Sequence, residues 1–148
     1  MDVGYGVMDL LTPARRSWNM SRIRGRDTIP EKRVRSLLHR LGFRFSLRRK
    51  DLPGKPDIVL SARNAVVFVH GCFWHQHSNC PNATMPTTRR SFWEKKLRGN
   101  VTRDRRVEVE LRSMGWRVLK VWECELSNEA EVGRRLKRHL SGRTDLPE

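Results

Sequence analysis

Residues 52–75 read Leu-Pro-Gly-Lys-Pro-Asp-Ile-Val-Leu-Ser-Ala-Arg-Asn-Ala-Val-Val-Phe-Val-His-Gly-Cys-Phe-Trp-His, and this stretch decides the fold. Ile58 to Leu60 and Ala65 to Val69 are short apolar runs. Ser-Ala-Arg-Asn separates them, so the pair reads as a hairpin of buried strands. Asp57 stands at the entrance to the first strand, behind a basic turn over 48–56. After the second strand, His70 to Pro86 has no period and is dense in histidine, cysteine and aromatic residues.

Upstream of the hairpin, Phe43, Phe45 and Leu47 alternate with polar residues and predict a further strand. Before them, Thr28-Ile-Pro-Glu31 fits a capping box with proline in the first turn. Val34, Leu37, Leu38 and Leu41 follow at helical spacing, and Gly42 stops that helix. Residues 1–20 lack a period and read as an N-terminal arm. Downstream, helices are expected over Phe92 to Leu97 and Arg103 to Met114, the latter capped by Gly115. Trp116 to Trp122 is a β-rich run. Val132, Leu136 and Leu140 mark a last amphipathic helix in the C-terminal stretch 127–148, whose end reads as a frayed tail. The order predicts one α/β domain over 1–148, a mixed sheet flanked by helices.

The 148 residues carry 31 Lys+Arg against 16 Asp+Glu, a net charge of +15. No fold needs that excess, whereas a polyanion uses it, because basic side chains on DNA release condensed counterions. A very soluble domain, or a ribosomal or membrane-surface protein, is the competing reading. No apolar run is long enough to span a membrane. The first residues lack the ordered pattern of a signal peptide, so a cytoplasmic protein is expected. Three cysteines, an odd number, argue for reduced thiolates rather than a closed disulfide framework.

Cys72, His75, His77 and Cys80 cluster within one short segment, and Cys124 follows the last predicted strand. Zinc takes four such ligands in a tetrahedron, and a closed site of three thiolates and one imidazole would be structural. Spacing does not choose between His75 and His77 as the fourth ligand. Asp57 before a buried strand suits a Mg2+-binding carboxylate in a nuclease, although a turn aspartate after proline is common. Glu31 reads first as the acid of its capping box. His70 and His75 titrate near neutrality and suit proton transfer, or serve as hydrogen-bonding loop residues. Phe73, Trp74 and Trp93 either floor the irregular loop or insert between bases. Arg89, Arg90, Lys95 and Lys96 around Trp93 suit DNA.

Six blocks in order carry a resemblance: Arg16-Ser-Trp-Asn-Met20-Ser-Arg-Ile, Asp27-Thr-Ile-Pro-Glu31, Leu52-Pro-Gly-Lys-Pro-Asp57, Val69-His-Gly-Cys-Phe-Trp-His75, Asn100-Val-Thr-Arg-Asp-Arg105 and Gly115-Trp-Arg-Val-Leu-Lys-Val-Trp-Glu-Cys124. Together they resemble the very short patch repair (Vsr) endonucleases over roughly residues 12–126. The resemblance implies a restriction-endonuclease-like fold and Mg2+-dependent nicking of one strand, 5′ to the thymine of a T·G mismatch left by deaminated 5-methylcytosine. It makes Asp57 the metal-binding aspartate, with a backbone contact from Val69, and His75 the catalytic histidine. His70 and Glu31 become auxiliary active-site residues. Phe73, Trp74 and Trp93 become intercalating aromatics, with Met20 and the four basic residues also on DNA. Cys72, His77, Cys80 and Cys124 become the structural zinc set. A monomer associated with the bacterial nucleoid is implied, with a cognate cytosine methyltransferase and mismatch-repair proteins as partners. Two other functions compete: a nuclease of the same fold in restriction or phage defence, and a non-catalytic zinc-stabilised DNA-binding module.

Overall fold

The computed structural model describes residues 27–141. The arm over 1–20, Met20 within it, and the final tail lie outside the described residues. Helix α1 spans Ile29–Arg40, strands β1 and β2 span Ile58–Leu60 and Ala65–His70, and helix α2 spans Arg90–Ser113. Strand β3 spans Arg117–Trp122, a 3-10 segment covers Glu123–Asn128, and helix α3 spans Glu129–Ser141. No helix among the described residues is long and apolar enough to cross a membrane.

The hairpin forms where the apolar runs place it. β1 pairs antiparallel with β2, and β2 pairs parallel with β3, so the small sheet is mixed, with β2 central. Parallel strands need a long crossover, and α2 supplies it. The alternation of strand side chains divides the core into two layers. Ile58, Leu60, Ala65, Val67 and Val121 face α1 and α3, meeting Val34, Leu38, Val132, Leu136 and Leu140. Val59, Val66 and Val118 face the other way, onto Leu111 of α2 and Leu52 of the turn. Helices therefore cover both faces, which is why β1 and most of β2 are apolar at successive positions, whereas the edge strand β3 carries Arg117 and Lys120.

Two expectations differ from the structure. The strand over 43–47 is reduced to one bridge, in which Ser46 and Val59 exchange both backbone hydrogen bonds. Phe43, Phe45 and Leu47 still turn toward the core, so the alternation reports burial without a ladder. The two helices expected over 92–97 and 103–114 are a single helix. Gly99 and Asn100 look like a break, yet Gly99 is exposed and Asn100 is buried with its amide donating to the Trp74 carbonyl at 3.0 Å. A tertiary hydrogen bond supports a polar residue on the inward face, where periodicity alone reads an interruption.

Candidate active site and metal cluster

Asp57 is held at the junction of the turn and the sheet. A Cβ at Gly54, where φ is +73°, would overlap the Val107 side chain of α2, so the turn lies tight against that helix. The Asp57 Oδ2 accepts the Val69 N–H at 2.7 Å, fixing the carboxylate beside the end of β2. Glu31 arrives from α1. Its N–H meets the Thr28 hydroxyl at 3.3 Å, but its carboxylate accepts the Asp27 N–H at 2.9 Å rather than returning to Thr28. Arg35 holds the same oxygen at 3.3 Å. Burial pushes the Asp57 carboxyl up to about 7; the Val69 N–H opposes the rise and the neighbouring Glu31 carboxylate adds to it.

The segment after β2 coils tightly, with the His75 N–H on the Gly71 carbonyl and the His77 N–H on that of Cys72. His75 Nδ1 lies 2.6 Å from Asp104 Oδ2 of α2. His70 stacks parallel on His75 at 3.8 Å between ring centres. Burial, then the neighbouring His75, lowers His70 to about 3, so its imidazole is neutral at working pH. The Nδ1 of His70 is buried without a hydrogen-bond partner.

Register explains the cysteine cluster. His70 pairs with Trp122 across the parallel ladder, so the chain two residues beyond each strand end converges, and Cys72 meets Cys124. One ligand atom from each of Cys72, His77, Cys80 and Cys124 lies within 4.8 Å of the others. His77 Nδ1 stands 3.7 Å from the Cys72 sulfur and 3.5 Å from that of Cys124. Its ring stacks on Trp122 at 4.1 Å, while His75 is turned away to Asp104. Burial raises the Cys72 and Cys124 thiols. These four side chains can hold a metal ion, which would stabilise the thiolates that burial disfavours.

Phe73, Trp74 and Trp93 form a buried cluster with Leu97 beneath the loop. Phe73 and Trp93 meet edge-on at 5.5 Å. The Trp74 indole N–H has no partner. The aromatic that does reach solvent is Phe92, 41% exposed, with the Arg89 guanidinium 4.4 Å from its ring centre. Arg90 pairs with Glu94 at 3.0 Å, Lys95 is exposed and Lys96 half-buried.

The model of the family described as DNA mismatch endonuclease Vsr matches residues 8–81. The type II nicking enzyme V.XorIIP of Xanthomonas oryzae pv. oryzae is 50% identical over 134 residues, 90% of this chain and 98% of its own. The DNA mismatch endonuclease Vsr of Escherichia coli is 48% identical over 126 residues, 85% of this chain and 80% of its own. The chain belongs to the Vsr family. It is a DNA endonuclease, and relatives such as the type II nicking enzyme V.NaeI of Lentzea aerocolonigenes, 48% identical over 123 residues, make it a nicking one. Among solved structures, the catalytic domain of the homing endonuclease I-Bth0305I superposes with a TM-score of 0.57 at 21% identity. It covers 80% of this chain and all of that domain, a likeness of fold alone.

Within this Vsr chain, sequence reasoning gave no role to Asp104, Asn100 or Arg35. Asp104 was visible as the lone acid in Arg103-Asp-Arg-Arg106, at i+4 from Asn100 and i+11 from Trp93. That spacing puts all three on one helical face. Only the fold shows that this face looks at His75.

Proposed function

We propose that this Vsr-family endonuclease nicks one strand 5′ to the thymine of a T·G mismatch, with Mg2+ at Asp57, and so initiates repair of deaminated 5-methylcytosine. The observation that carries the reading is one convergence. The Asp57 carboxylate is tied to the Val69 N–H at the end of β2, and the next residue, His70, stacks on His75, which pairs with Asp104, so an acid and two imidazoles gather at one strand end. A restriction-endonuclease-like arrangement, with an acid at a strand entrance on a mixed sheet, is consistent with it.

The donors fit the ion. Two carboxylates crowded together in a half-buried place repel, and a hard cation with oxygen ligands relieves that repulsion. Asp57 and the Val69 carbonyl would hold Mg2+, which when bound stabilises charge on the phosphodiester and acidifies water. Asp104 accepts the Nδ1 proton of His75, which leaves Nε2 to take or return a proton. Neutral His70 supports the plane of that ring. Glu31, anchored by Asp27 and Arg35, orients the groups around Asp57. Cys72, His77, Cys80 and Cys124 suit a closed structural zinc, fixing the loop that carries His75.

Phe73, Trp74 and Trp93 would have to leave their cluster to insert between bases, and unstacking is cheapest at a mismatch. Met20, Arg89, Arg90, Lys95 and Lys96 complete the proposed DNA contacts. A cognate cytosine methyltransferase and mismatch-repair proteins are the proposed partners.

The test is a set of duplexes of one sequence carrying T·G, other mismatches or T·A, incubated with Mg2+ or with chelator, the nick being mapped on each strand. A Mg2+-dependent nick 5′ to T of the T·G duplex alone supports the proposal. Nicking that ignores the mismatch moves the enzyme to the restriction or defence reading.

A further inference from the structure

Helix α2 has two chemically distinct faces. Trp93, Leu97, Asn100 and Asp104 turn inward to the aromatic cluster and to His75. About 180° around the axis, at 3.6 residues per turn, run Ser91, Lys95, Arg98, Gly99, Thr102 and Arg106, all exposed. They line an open groove of about 590 Å3 together with Glu94 and Arg103. Those two are engaged within α2: Glu94 with Arg90 at 3.0 Å and Arg103 with the Asn100 side chain at 3.1 Å.

Three basic side chains gather on this one face of α2. Arg33, Arg35, Arg49, Arg112 and Arg135 each face a carboxylate. Lys95, Arg98 and Arg106 have no ion pair among the described residues. Gly99 sits mid-groove, where an added Cβ would meet nothing within 4 Å. Packing therefore does not require glycine there, although glycine weakens a helix interior. Its missing side chain leaves the helix backbone open to close approach from outside.

We propose that this face of α2 is a second DNA contact, a track that holds the sugar-phosphate backbone of duplex away from the nicked step. It rests on the chain's action on DNA and carries the contact already proposed at Lys95 along the helix to Arg98 and Arg106. Three cations without carboxylate partners suit phosphate oxygens, and the Ser91 and Thr102 hydroxyls can donate to them. The stripe runs about 22 Å at 1.5 Å per residue, and the width of the helix, about 10 Å, separates it from the Asp104 face. Contact there carries no base information. It keeps the enzyme on DNA through counterion release. With +15 on the whole chain, a polyanion is favoured over an acidic protein.

The experiment uses the full chain with Arg98→Gln/Arg106→Gln and, separately, Gly99→Glu. Binding to a matched duplex is followed by fluorescence anisotropy across a salt series. In the double variant, the slope of log K against log salt becomes shallower by about 2, since each lost phosphate contact removes about 0.9. Gly99→Glu weakens low-salt binding about tenfold. Thermal unfolding is unchanged in the double variant and is not lowered by Gly99→Glu, since glutamate is the better helix former; nicking at saturating DNA in low salt is unchanged in both. An unchanged slope in the double variant overturns the proposal and assigns the face to an acidic partner or to solvent. Full-strength binding by Gly99→Glu overturns it as well.

Discussion

At the residue scale, Asp57 and Asp104 carry the clearest expectations. Asp57→Asn should abolish nicking and leave DNA binding nearly intact, because the proposed phosphate contacts lie on basic residues elsewhere. Near-normal cleavage would refute its role. Asp57 also sets a pH dependence. Its carboxyl sits at about 7 in the fold and near 3.9 when unfolded. Between those values the native state binds the extra proton, so this group makes stability fall as pH rises from about 4 to about 7. His70 acts with the opposite sign: held at about 3 against about 6.5 unfolded, it loses stability as pH falls below about 6.5. Melting curves of wild type and Asp57→Asn in Mg2+-free buffer share the His70 contribution, so their difference isolates Asp57; parallel curves would exclude the shift. Asp104→Asn should lower kcat by about a hundredfold or more with little change in DNA affinity, the effect of misplacing a proton-transfer imidazole. A wild-type kcat would remove Asp104 from the mechanism.

At the scale of the element, α2 joins the sheet to the loop that carries His75. Leu111 and Val107 pack on the sheet side, while Trp93 and Leu97 pack under the loop. Asn100 links the two regions through the Trp74 carbonyl. Asn100→Ala would leave that carbonyl unpaired and should destabilise the protein by about 1–3 kcal/mol, measured by urea denaturation. Gly99→Ala should do the reverse and stabilise by about 1 kcal/mol, since the new methyl meets nothing. If both variants unfold alike to wild type, the helix does not transmit stability to the loop. Burial of Trp74 at 7% exposure makes Trp74→Phe the better probe of base insertion than truncation, because it keeps most of the packed volume. A selective loss of T·G cleavage at unchanged stability supports the wedge.

At the scale of the whole molecule, the parallel pairing of β2 with β3 assembles the Cys/His cluster from segments distant in sequence. Cys72→Ser and Cys124→Ser should each lose bound zinc and lower the melting temperature together, because metal binding in such a site is folding free energy. Metal analysis of wild type should find about one zinc per chain; protein purified without chelator and free of zinc would end that assignment. Both variants should also lose nicking, since the loop that the cluster anchors carries His75.

Local chemistry alone determined the hairpin of Ile58–Leu60 and Ala65–His70, the helix behind Thr28, the final amphipathic helix and the clustering of Cys72, His77 and Cys80. Each is written in short-range periodicity, turn residues or ligand spacing, which act within one element. The family resemblance then supplied roles that spacing left open, such as the choice of His77 over His75 as a zinc ligand. What only the tertiary structure decided depends on contacts between elements. The strand expected at Phe43 to Leu47 has no ladder, because only Ser46 reaches Val59. The interruption at Gly99-Asn100 is no helix end, because the Asn100 amide finds the Trp74 carbonyl across the loop. Asp104 becomes the partner of His75 because α2 crosses beneath the loop, and Cys124 joins Cys72 because β3 lies parallel to β2 in one register. A residue's type and spacing fix what chemistry it can perform, whereas its partner is set by the packing of segments far apart in the chain.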